Sequence, residues 1–94
     1  MMSNIPTDLS KVKKENIDKE ILRTGIIAEL DAINLYEQLA ENTENVDIKK
    51  IILDIAKEEK THVGEFQALL LSLDKQQIAE LEAGKKEVEK ELKD

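Results

Sequence analysis

The chain has 94 residues, a formal net charge of -7, no cysteine, and only three aromatic or imidazole side chains besides backbone: one tyrosine, one phenylalanine and one histidine. A chain this short is one small domain, burying roughly 60 to 65% of its unfolded surface, and without thiols it excludes disulfides, thiolate zinc sites and thiol catalysis. The acidic balance argues against nucleic acid and anionic membranes and favours cations, while the abundance of Ala, Glu, Ile, Leu and Lys marks an all-helical protein.

Met1 to Lys14 has no apolar run and no stretch approaches the roughly 20 apolar residues of a membrane span, so the chain is expected to be intracellular and soluble. Residues 1–15 lack a sustained period and are expected to form a flexible arm. From Asn16, a candidate N-cap, to about Glu41, apolar residues recur at helical spacing, with one seam through Leu22, Ile26, Glu29, Ile33, Tyr36 and Ala40. The polar stretch Asn42-Thr43-Glu44-Asn45 predicts a short loop, and Asp47 is a candidate cap for the next helix. That second helix, to about Ser72, carries the seam Ile48, Ile52, Ile55, Glu59, His62, Phe66, Leu69, Leu73. Two long helices joined by a short loop form an antiparallel hairpin by default, here over residues 16–73. Asp74 followed by Gln77 resembles a capping box. It predicts a shorter third helix within 74–94, with a narrow stripe of Ile78, Leu81, Val88 and Leu92 and a weak point at Gly84.

Glu29 lies fifteen residues before Glu44 in the loop and Glu59 fifteen after it. At about 1.5 Å per residue both carboxylates stand at one height, roughly 20 Å from the turn. His62 follows Glu59 by one helical turn on the same face. A histidine alone in a helix seam is ordinarily a packing residue; two carboxylates at its height change the balance. Burying such groups costs several kcal/mol or more without compensation, and a metal ion compensates. Carboxylate and imidazole without thiolate suit Fe(II), Mn(II) or Zn(II).

Two carboxylates and one imidazole make half of a di-metal site. Ferritin-like di-iron bundles use one Glu from each of two helices and a Glu-x-x-His from each of the other two. A two-fold homodimer supplies that set and completes a four-helix bundle. Apolar residues outside the seams, among them Ile27, Leu30, Leu35, Val63 and Leu70, also call for more than one neighbour. The expected activity is therefore ferroxidase, oxidation of Fe(II) by dioxygen at a centre of Glu29, Glu59 and His62 from two chains. A lysine at Ile33 is expected to break the dimer and abolish activity.

The segment Gly25-Ile26-Ile27-Ala28-Glu29-Leu30-Asp31-Ala32-Ile33-Asn34-Leu35-Tyr36, followed by Glu59-Lys60-Thr61-His62-Val63-Gly64-Glu65-Phe66, resembles the encapsulated ferritins over about Ile21 to Leu73. The resemblance implies a ferroxidase of two-helix subunits in a ring of dimers, a decamer, with iron at each dimer interface and Glu59 bridging. It also implies work in the cytoplasm inside an encapsulin nanocompartment, whose shell stores the iron. Two features depart from the family. Lys85 to Asp94 is charged where an apolar shell-targeting tail is usual, which leaves open a domain of a fusion with the shell protein or a chain without its tail, and Ala28 stands beside Asp31 where the family has a second acid.

Supporting roles are weaker. Tyr36 is a candidate hydrogen-bond donor to a ligand carboxylate, Glu58 and Glu65 are candidates to orient the imidazole, and Asp31 is a candidate for guiding cations. Packing for Tyr36 and solvated ion pairing for the acids are the commoner fates. Two other functions fit the same residues: a non-catalytic helical oligomerisation module whose buried Glu and His fix register, and a manganese- or zinc-binding ferritin-like protein.

Overall fold

The structure, a computed structural model, describes residues 7–93. Two 3-10 turns, Leu9–Lys11 and Lys14–Asn16, lead into three α-helices: α1 (Ile17–Asn42), α2 (Val46–Leu73) and α3 (Lys75–Glu91). There is no strand among the described residues. The expected arm falls partly outside them; Thr7 meets Thr24 of α1 hydroxyl to hydroxyl at 3.3 Å.

The helix ends show how local chemistry divides the chain. Asn16 occupies the N-cap of α1 but makes no side-chain cap bond: its backbone is αR rather than the extended form of a capping residue, as the last residue of the preceding 3-10 turn. Residues 43–45 link α1 to α2. The cap of α2 is Asn45 and not Asp47: the Asn45 side chain accepts from the Ile48 N–H at 3.0 Å. A cap oxygen reaches the N–H three residues on, and the three-residue linker starts α2 at Val46, leaving Asp47 in the first turn.

Asp74 does cap α3, accepting from the Gln77 N–H at 3.0 Å while its second oxygen takes Arg23 of α1 at 3.1 Å. α3 continues through Gly84 without a break. The Gln77 N–H chiefly, with Lys19 and Arg23, holds the Asp74 carboxyl below its ordinary 3.8, against a smaller desolvation effect. Because the folded state favours the ionised form, its stabilisation is complete above the unfolded value and lost as pH falls through the lower folded one. The Gln77 amide resonance should therefore titrate below about pH 4 while α1 and α2 stay helical, and Asp74→Asn should remove that titration while keeping the cap.

α1 and α2 pack antiparallel along their lengths, and α3 projects from the end of α2, giving extents of 47 × 47 × 20 Å. The α1 side of the seam is as expected, with Ile33 and Ala40 buried. On α2 the line facing α1 is displaced at its ends. Ala56 (2% exposed) and Leu70 (5%) are buried, and Ile52, Ile55, Glu59, His62 and Phe66 of the expected seam are half-buried, as is Val63. Ile48, Leu69 and Leu73 of the expected seam are about half exposed, Leu69 at 58%. Apolar residues cover more than 100° of α2, so the period alone does not choose the inward line. Of the residues expected to seek a second neighbour, Leu70 is buried beside Ile26 and Ile27 of α1 and Leu81 of α3, Val63 and Leu35 are half-buried, and Ile27 and Leu30 remain exposed.

Candidate metal centre

The antiparallel pairing of α1 and α2 carries Glu29 to the height of Glu59, as counting from the loop requires, and the 3.6-residue turn sets His62 beside Glu59. His62 Nδ1 is 3.4 Å from Glu29 Oε2 and 3.6 Å from Glu59 Oε2. One donor atom from each of the three lies within 4.8 Å of the others, forming one O, O, N cluster. The carboxylates are mostly shielded, with side chains 18% and 20% exposed, whereas the imidazole is 43% exposed. The cluster thus sits at the flank of the α1–α2 seam, with the histidine turned towards the open side.

Glu29 Oε2 is buried without a hydrogen-bond partner. An unsatisfied buried carboxylate oxygen is costly, and a cation bound by Glu29, Glu59 and His62 satisfies it. Two hard oxygens and a borderline nitrogen suit a divalent first-row metal. The residues present therefore fit iron. With three donors on one flank, a cation held there would have its remaining coordination positions facing outward.

The supporting residues divide. Tyr36 is half-buried on the α1 seam, but its hydroxyl makes no hydrogen bond to another described residue. Glu58 and Glu65 are exposed and neither pairs with His62 among the described residues. Asp31 is half-buried and has a partner of its own. A contact that sequence reasoning missed lies near the centre: Lys60 and Glu37 pair at 3.3 Å across the hairpin, next in sequence to Glu59 and Tyr36. Only the register between the helices reveals it.

Also missed was a second stripe on α1, Ile21, Gly25, Ala28, Ala32, Leu35 and Leu39, spaced by fours and threes like the inner seam. Ile21 and Leu39 are exposed, and Ile21 lines one shallow groove with Leu69 and Leu73 of α2. The exposed apolar flanks of both helices therefore adjoin, and His62 opens onto the same side. No helix among the described residues is long and apolar enough to cross a membrane.

Comparison with known proteins gives the family. Residues 20–93 match the Rubrerythrin family. The chain is 57% identical to a ferritin-like–encapsulin shell fusion protein of Pyrococcus furiosus, over 98% of this chain and 27% of that protein. It is 40% identical to the encapsulin nanocompartment cargo protein EncC of Myxococcus xanthus, over 74% of this chain and 56% of the cargo protein. The chain thus spans about a quarter and about half of these two relatives. A crystal structure of the encapsulated ferritin domain from Pyrococcus furiosus superposes with a TM-score of 0.81 at 53% identity, covering 98% of this chain and 95% of that one. The chain belongs to the Rubrerythrin family, as a ferritin-like helical domain of the encapsulated ferritin type.

Proposed function

We propose that the protein is a ferroxidase whose di-iron centre forms between two copies of the chain. The observation that carries this is the cluster of Glu29, Glu59 and His62 at the edge of an uncovered apolar flank, with one carboxylate oxygen buried and unsatisfied. One chain offers three donors, too few for two ions. A two-fold axis beside His62 brings a second set opposite the first, and the same packing covers Ile48, Ile51, Leu69 and Ile21, which single chains leave to water.

In the dimer the four carboxylates balance the charge of two ferrous ions. Their shielded positions would favour a bound cation over bare carboxylates, and Glu29, Glu59 and His62 of both chains would hold the ions. Neutral imidazoles complete each set without adding charge. Each ferrous ion gives one electron, and two electrons with two protons take one dioxygen to hydrogen peroxide, leaving two ferric ions. Residues that hold the pair at fixed separation make this a two-electron event. The apolar flanks exclude water around the centre.

The relatives extend the reading. One is fused to an encapsulin shell and another is cargo of such a compartment, so iron storage within an encapsulin nanocompartment in the cytoplasm is proposed for this chain; the decameric ring of dimers is proposed from the resemblance to encapsulated ferritins alone. The test is anaerobic loading of the purified protein with Fe(II), followed by oxygen. Ferric absorbance should rise well ahead of a protein-free control; a rise at the control rate would refute the ferroxidase.

A further inference from the structure

We propose that Gly25 and Phe66 form a spacer that sets the approach of α1 to α2 beside the metal ligands; the inference rests on the metal-centre reading above. Gly25 stands one turn before Glu29 on α1, and Phe66 one turn after His62 on α2. Since the helices run antiparallel, both occupy the layer next to the cluster, on the side away from the loop. A Cβ added at Gly25 would lie 2.8 Å from Phe66 Cε1 and 3.0 Å from both Cδ1 and Cζ. Three atoms of one ring thus rest on the helix backbone where a side chain would stand. Gly64 and Gly84 have open space at the same test, so Gly25 alone owes its place to contact.

The ring has two ways to retreat, and both reach the centre. Side chains on a helix lean over the preceding turn, so Phe66 lies towards His62, four residues earlier. With the pocket at Gly25 closed, the ring either swings onto the imidazole or wedges the helices apart, opening the 3.4 Å separation of His62 and Glu29. An alanine in mid-helix ordinarily makes the helix more stable than glycine does. Helicity and ligand geometry are therefore predicted to move in opposite directions, which a role in folding alone does not produce.

Gly25→Ala, Phe66→Leu and the double variant test this in the full chain. His62 is the only histidine, so its imidazole NMR signals report on the site without metal. In Gly25→Ala they should shift while helicity holds or rises, and in the double variant they should match those of Phe66→Leu alone. Cobalt(II) titration with visible absorption adds the ligand geometry. Gly25→Ala should weaken Co(II) about tenfold or more, the scale of disturbed ligand support, and change the band shape, with affinity recovered on adding Phe66→Leu. Unmoved His62 signals, or Co(II) affinity and spectrum equal to the parent's, would overturn the spacer. A parent chain that takes no Co(II) while His62 still moves in Gly25→Ala would instead overturn the metal centre and leave the spacing intact.

Discussion

Glu59→Gln should bring ferrous oxidation down at least about 100-fold, towards the rate of iron in buffer, without changing helicity. The variant keeps the length and volume of the side chain, so the packing of α2 against α1 stays. It removes the negative charge that stands 3.6 Å from His62 in a largely shielded position. Disturbing a residue that merely orients a ligand typically costs 10- to 100-fold, so loss of one of the three proposed ligands themselves sets the upper end as a minimum. Stopped-flow ferric absorbance and circular dichroism on the same sample check it. An oligomerisation module predicts a different result, with assembly and every other property untouched. A variant that oxidises iron at the parent rate would remove Glu59 from the centre.

Leu69→Lys should separate the dimer and abolish oxidation with all three ligands intact. Leu69 is 58% exposed in the single chain and lies beside Ile21 and Leu73 on the flank onto which His62 opens. A lysine there is accommodated in a monomer and desolvated in a dimer. Burying an unpaired charge costs several kcal/mol, and about 3 kcal/mol already weakens association by more than 100-fold. Sedimentation should show a folded monomer, and mixed with Fe(II) and oxygen it should be inactive. Ile33, the position indicated by the sequence, is the wrong place for this experiment. It is buried against α2, so a lysine there attacks the hairpin itself. An active Leu69→Lys monomer would show that one chain suffices.

The contrast between Ile33 and Leu69 shows what the sequence carries. Helix spans were legible because period, loop composition and the Asp74–Gln77 cap are local, and the heights of Glu29 and Glu59 follow from counting residues along two rods. The inward line of α2 was legible in its middle, where Ile52, Ile55, Glu59, His62 and Phe66 are half-buried, but not at its ends, where Ile48, Leu69 and Leu73 are exposed while Ala56 and Leu70 are buried. Ile52, Ala56, Val63 and Leu70 form one candidate stripe, Ile48, Ile55, Leu69 and Leu73 another, and a 3.6-residue period admits both. Choosing between them needs the partner helix, where small Ala56 permits the close approach. The same reason hid the Lys60–Glu37 pair and the contact of Phe66 with Gly25, since each depends on register across the hairpin. The two-sided surface of α2 was nevertheless present in composition, and it is what a four-helix assembly requires of a two-helix subunit.

Iron nuclearity in separated species tests the central proposal most directly. Parent dimer and Leu69→Lys monomer should be loaded anaerobically with iron-57, exposed to oxygen, and measured by Mössbauer and electron paramagnetic resonance spectroscopy alongside metal analysis. The dimer should hold about one iron per chain, on the two-ion pattern of ferritin-like bundles, as a spin-coupled ferric pair, and the monomer should hold little iron. Equal loading of both species, with the signal of isolated ferric ions, would contradict a centre shared between chains.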